Sequence, residues 1–149
     1  MAQLLIVAHT PLASALQAVA RHVYPDCGRQ LVALDVAPGA TPEEVGARVR
    51  DALAAADGQE VLILVDVFGA TPCNAAVAVA DGVRSRVVAG VNVPMLWRTL
   101  CYADLSLDEL VNRAVAGASQ GVMHVSVPRR QNQSSLSTSH DQVQHHHQQ

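Results

Sequence analysis

His9 ends an apolar run, Leu-Leu-Ile-Val-Ala at positions 4–8, and a Thr-Pro pair follows it at once. A second apolar run, Val-Leu-Ile-Leu-Val at 61–65, ends on Asp66 and leads into Val-Phe-Gly-Ala-Thr-Pro-Cys-Asn, which closes at Asn74. An imidazole beside a carboxylate is an oriented base or nucleophile. The carboxylate accepts from the proton-bearing ring nitrogen, fixes the tautomer and leaves the lone pair of the other nitrogen exposed. A phosphoryl group transferred to that nitrogen asks the protein for alignment and charge stabilisation rather than covalent chemistry. His9 and Asp66 are therefore the candidate catalytic pair. Thr10, the Thr71 hydroxyl and Asn74 are candidate phosphoryl-binding groups. Taken singly, His9 reads more readily as a hydrogen-bonded strand end and Asp66 at least as readily as a turn former before Gly69; the combination carries the functional reading.

Other chemistries fit less well. Asp35 also ends an apolar run, and is expected to bind backbone near Pro38-Gly39. Cys73 enters a helix start, where a thiolate would be reactive, but it reads as a small packing residue. His22 is expected on a surface and His124 in a last strand, neither with a chemical role. There is no GxxxxGK[ST] and no GxGxxG. All ten basic residues are Arg, and the absence of Lys argues against a receiver-type phosphoacceptor domain. The formal charge of −3, with no basic stripe, argues against nucleic acid as a partner. Cys27, Cys73 and Cys101 form no CxxC pair, which fits a reduced, cytoplasmic setting. No apolar run approaches the roughly 18 residues of a membrane span, and no signal peptide is evident.

Elements must place these residues together. Short β-rich runs at 4–8, 31–36, 61–65 and 86–89 read as four strands, the first and third apolar throughout, as in strands buried on both faces. Between them, Leu12, Leu16, Val19, Ala20 and Val23 follow helical spacing, as do Val45, Val49, Ala52, Leu53 and Ala56. Alternating strands and amphipathic helices imply an open α/β parallel sheet with helices on both faces. Thr10-Pro11, Thr41-Pro42 and Thr71-Pro72 each predict a helix start, with Thr as N-cap and Pro at the first helical position. Glu44 is placed to close a capping box on Thr41. Residues 93–102 and 107–118 read as two more helices, the second capped by Ser106, with Gly117 and Gly121 framing a turn. Val-Met-His-Val-Ser-Val at 122–127 alternates and reads as a last edge strand. In such sheets ligands bind outside the carboxyl ends of the strands, at the topological switch point. The helix starts at Thr10 and Thr71 are expected to converge there and attract anions. One domain over 1–128 and a disordered Gln/Ser/His tail over 129–149 complete the reading, with the His145–His147 run taken as solvated rather than metal-binding.

Three stretches, Ile-Val-Ala-His-Thr-Pro-Leu-Ala-Ser-Ala-Leu around His9, Leu-Val-Asp-Val-Phe-Gly-Ala-Thr-Pro-Cys-Asn-Ala-Ala around Asp66 and Ala-Gly-Val-Asn-Val-Pro-Met-Leu-Trp-Arg-Thr-Leu at 89–100, resemble the mannose-type enzyme IIA family of the sugar phosphotransferase system (PTS). The resemblance spans about residues 3–127. It implies that His9 carries the phosphoryl group, that Asp66 orients the imidazole, and that Thr71 stands where family members often have serine. It implies the phosphocarrier HPr as donor and a IIB component as acceptor, with no metal or organic cofactor. The implied fold is four parallel strands plus an antiparallel strand, at 122–127, exchanged within a homodimer. Two departures are Thr10-Pro11, where the more familiar pattern has Gly after the His, and Gly69-Ala70 in place of Gly-Gly. The expected product is a standalone IIA that serves sugar uptake or regulation. The alternatives are a regulatory module without a cognate permease and the phosphoryl-donor subunit of a dihydroxyacetone kinase.

Overall fold

The structure, a computed structural model, describes residues 1–130. The polar tail expected from 129 onward, with its His run, lies outside the described residues save for its first two positions. Four strands form one all-parallel sheet: β1 (Gln3–His9), β2 (Leu31–Val36), β3 (Val61–Val65) and β4 (Ser85–Ala89), in the order β2-β1-β3-β4. Five α-helices connect or follow them: α1 (Leu12–Val23), α2 (Pro42–Ala55), α3 (Thr71–Val79), α4 (Val93–Leu100) and α5 (Leu107–Gln120), with a short 3-10 helix at Cys27–Gln30.

The two central strands are the two that are apolar throughout, because helices cover both of their faces. Leu4, Ile6, Leu62 and Leu64 point into one core with Ala13 and Leu16 of α1, Met95 and Leu96 of α4, and Leu110 of α5. Leu5, Val7, Ile63 and Val65 point into the other, with Val45 and Val49 of α2 and Cys73 and Ala76 of α3. Each fully buried Leu or Ile side chain contributes about 1.5–3 kcal/mol through loss of hydrated apolar surface. Cys73, 2% exposed, is thus a packing residue, as expected.

Capping follows the sequence in part. Thr41 and Glu44 form the anticipated capping box on α2, and Ser106 with Glu109 forms a second on α5. The other two Thr-Pro pairs act differently. Pro11 itself occupies the N-cap of α1, and Ala70 that of α3, so neither Thr10 nor Thr71 caps a helix. Asn92 caps α4 by accepting from the Met95 N–H at 2.9 Å. Gly117 lies inside α5 rather than in a turn: a Cβ there would stand 2.6 Å from Arg98 Cγ, so glycine lets α5 lie close against α4. Residues 122–127 form no strand in this single chain; Val122, Met123, Val125 and Val127 are all exposed.

Candidate functional site

The chain passes from β1 to β2 on one side and later returns to β3 on the other side of β1. The switch point therefore lies between β1 and β3. Their register ends with Val7 opposite Val65, so His9 and Asp66 are the first polar residues beyond the shared ladder. Asp66 Oδ2 accepts from the His9 main-chain N–H at 2.9 Å and lies 2.6 Å from His9 Nδ1. Its other oxygen, Oδ1, accepts from the Val67 N–H at 2.9 Å. The carboxylate is thus fixed at both oxygens and grips both the backbone and the ring of His9.

Solvent exposure differs across the pair: the His9 side chain is 50% exposed and that of Asp66 11%. Partial desolvation pushes the Asp66 carboxyl up, but the hydrogen bonds from His9 and Val67 and the charge of His9 outweigh it and hold the group below its ordinary value. With Nδ1 against a carboxylate, Nε2 is the ring nitrogen left for chemistry.

The remaining candidates stand on the same rim with different roles. Thr10 is exposed, and its N–H donates to the Val36 carbonyl at 3.0 Å. Thr71 is half-buried and is the first residue of α3, with its hydroxyl not committed to a cap. Asn74 donates through Nδ2 to the Gly69 carbonyl at 3.1 Å, which braces the loop between Asp66 and α3. Gly69 has φ +86°, a left-handed conformation that favours glycine at this turn. Val67 and Phe68 project from the loop, the latter 85% exposed.

One expectation fails here. Asp35 does not bind near Pro38-Gly39: its Oδ1 accepts from the Ser14 N–H of α1 at 3.0 Å. One N–H of the first turn of α1 is thus already paired with a carboxylate from within the chain. No local signal in the sequence joins Asp35 to Ser14, because the contact depends on β2 lying beside β1.

The fold is an open parallel α/β sheet with polar residues at its switch point, and comparison with known proteins gives its family. Residues 3–115 match the family model described as "PTS system fructose IIA component". The chain belongs to this family. It is 42% identical over 93 residues to the "PTS system mannose-specific EIIAB component" of Escherichia coli (strain K12), a match covering 60% of this chain and 29% of that protein. It is 44% identical over 63 residues to the "PTS system fructose-specific EIIA component" of Bacillus subtilis (strain 168), covering 41% and 43% of the two. The matches therefore span less than half the length of these curated relatives. In fold it is similar to the "Mannose/sorbose specific IIA subunit of phosphotransferase system from Enterococcus faecalis", with a TM-score of 0.77 at 21% identity, covering 85% of this chain and 96% of that one. It is likewise similar to phosphotransferase system component EIIA from Streptococcus agalactiae, with a TM-score of 0.74 at 21% identity, covering 83% and 97%.

Proposed function

We propose that this chain is a phosphocarrier that accepts a phosphoryl group from phospho-HPr on Nε2 of His9 and passes it to a IIB component. The carrying observation is the 2.6 Å contact between Asp66 Oδ2 and His9 Nδ1 on a half-exposed ring. In this reading the Nε2 lone pair attacks phosphorus as the donor's P–N bond breaks. Asp66 balances the positive charge that builds on the imidazole, and its ionised state at neutral pH follows from its lowered pKa. Thr10, Thr71 and Asn74 are assigned to the phosphoryl oxygens or to the loop that meets them. The chemistry calls for no metal or organic cofactor, since the phosphoryl group arrives activated.

Protein partners suit this rim. Val67 and Phe68 offer apolar contact beside the reacting ring, and apolar aromatic anchors are frequent at interface centres. The exposed Val122, Met123, Val125 and Val127 support a homodimer in which 122–127 pairs with a partner's sheet edge. The working unit is assigned to residues 1–128 and to the cytoplasm, where both proposed partners would reside.

Incubation with Enzyme I, HPr and phosphoenolpyruvate should label the wild-type protein on one histidine, and a purified IIB domain should discharge it. His9→Ala should take up no label. Equal labelling of wild type and variant would overturn the assignment.

A further inference from the structure

We propose that Asp35 is a positioning residue for His9: from the neighbouring strand it fixes the turn that carries the imidazole. The inference rests on His9 being the phosphoryl acceptor. Asp35 stands outside the His9–Asp66 pair, on the opposite side of β1.

His9 is the last residue of β1, and α1 begins three positions later at Leu12. The connection is only Thr10-Pro11, so an error in placing the first turn of α1 passes directly to the ring. The N-cap of α1 is Pro11, whose side chain has no acceptor for the free N–H groups of the first turn. Asp35 supplies that acceptor in trans, with Oδ1 3.0 Å from the Ser14 N–H. Ser14 ties the turn internally by donating its hydroxyl to the Pro11 carbonyl at 3.1 Å. Asp35 is held in turn, because Arg48 of α2 donates through Nη1 to its main-chain carbonyl at 2.7 Å. The adjacent β2 residue, Val36, accepts from the Thr10 N–H at 3.0 Å.

The turn after His9 is thus fastened on one side by Asp35 and Val36 of β2 and on the other by Asp66 beyond β3. Desolvation pushes the Asp35 carboxyl up, but the bonds it receives from Ser14 and Ala13 and the charge of Arg48 hold it lower than usual, so the acceptor stays ionised at neutral pH. Displacements of about 1 Å at a reacting group commonly lower rates by about 10²-fold. A clamp of this kind acts through placement, so an uncharged acceptor of the same shape should serve nearly as well.

The test compares Asp35→Ala and Asp35→Leu, which remove the acceptor, with Asp35→Asn, which keeps one. The first readout is the ¹⁵N NMR signature of the His9 ring, which reports the Nδ1 contact with Asp66 and needs no partner protein. The second is the initial rate of labelling from phospho-HPr, both at a temperature well below each variant's Tm. Asp35→Ala and Asp35→Leu should shift the ring signature and slow labelling by about 10-fold or more, within the range set by misplacement of a reacting group. Asp35→Asn should restore both to near wild type. Should one acceptor-less variant fail to fold, the other and the Asn variant carry the comparison. An unchanged ring signature in the folded acceptor-less variants, or an Asn variant as impaired as they are, overturns the proposal. Absence of label on the wild type would count against the phosphocarrier reading alone, while the ring comparison would still decide the role of Asp35.

Discussion

Asp66 binds His9 twice with the same oxygen, at the main-chain nitrogen over 2.9 Å and at Nδ1 over 2.6 Å. One carboxylate therefore fixes both where the residue sits and how its ring is turned. Replacing it should separate these effects from simple loss of folding. Asp66→Asn keeps an oxygen for the His9 backbone but loses the charge that balances an imidazolium. Labelling from phospho-HPr is expected to slow by about 10²-fold or more, the usual scale for a positioned acid–base partner. Stopped labelling assays at matched protein concentration would check this, and a wild-type rate would remove Asp66 from the mechanism.

Asn74 braces the loop between Asp66 and α3 through its bond to the Gly69 carbonyl. Asn74→Ala should lower stability by about 0.5–1.5 kcal/mol, the net worth of one such bond. It should slow labelling as well, because Thr71 begins the helix that this loop delivers. Chemical denaturation together with the labelling rate tests both. Loss of stability without any change in rate would confine Asn74 to a structural role.

Asp81 gives the clearest expected pH dependence. Its Oδ1 accepts from the main-chain N–H groups of Val83, Arg84 and Ser85, at 2.9, 2.8 and 2.9 Å. The bonds from Ser85, Val83 and Arg84 lower its pKa from 3.8 to about 2. Between these values the unfolded chain binds more protons than the folded one, so stability rises with pH. The contribution is complete above about pH 4 and disappears as pH falls toward 2. Asp81→Asn should flatten the Tm-against-pH curve across that window, and parallel curves for variant and wild type would refute the assignment.

Gly28 packs beneath the end of α1. A Cβ there would stand 2.9 Å from main-chain atoms of Ala20 and Arg21, which cannot swing aside as a side-chain tip would. Gly28→Ala should cost about 1–3 kcal/mol, the usual penalty for overpacking. Thermal melts of the variant would show this as a lowered Tm, and a Tm at or above wild type would contradict the close approach.

The segment 122–127 bears on the proposed dimer. Val125→Asp puts a charge among exposed apolar residues of a segment assigned to pair with a second copy. Light scattering should show the wild type as a dimer and the variant shifted toward monomer. A wild type that is monomeric at micromolar concentration would sink the strand-exchange proposal.

The four strands, the helices between them and the residues at the strand ends are legible along the chain. Strands such as Val61–Val65 declare themselves because burial on both faces demands unbroken apolar runs. The Thr41–Glu44 capping box was equally readable, since its partners are local. At the other two Thr-Pro pairs the N-cap falls one residue away, on Pro11 and Ala70, because the same pair permits more than one helix start. The contacts themselves are set by the assembled sheet. The order β2-β1-β3-β4 brings Asp66 to His9 across 57 positions and Asp35 to Ser14 across 21. Both contacts depend on strand order and register, which arise from packing the whole sheet between its helices; the first is signalled by two polar residues that each end an apolar run, the second by no local mark along the chain.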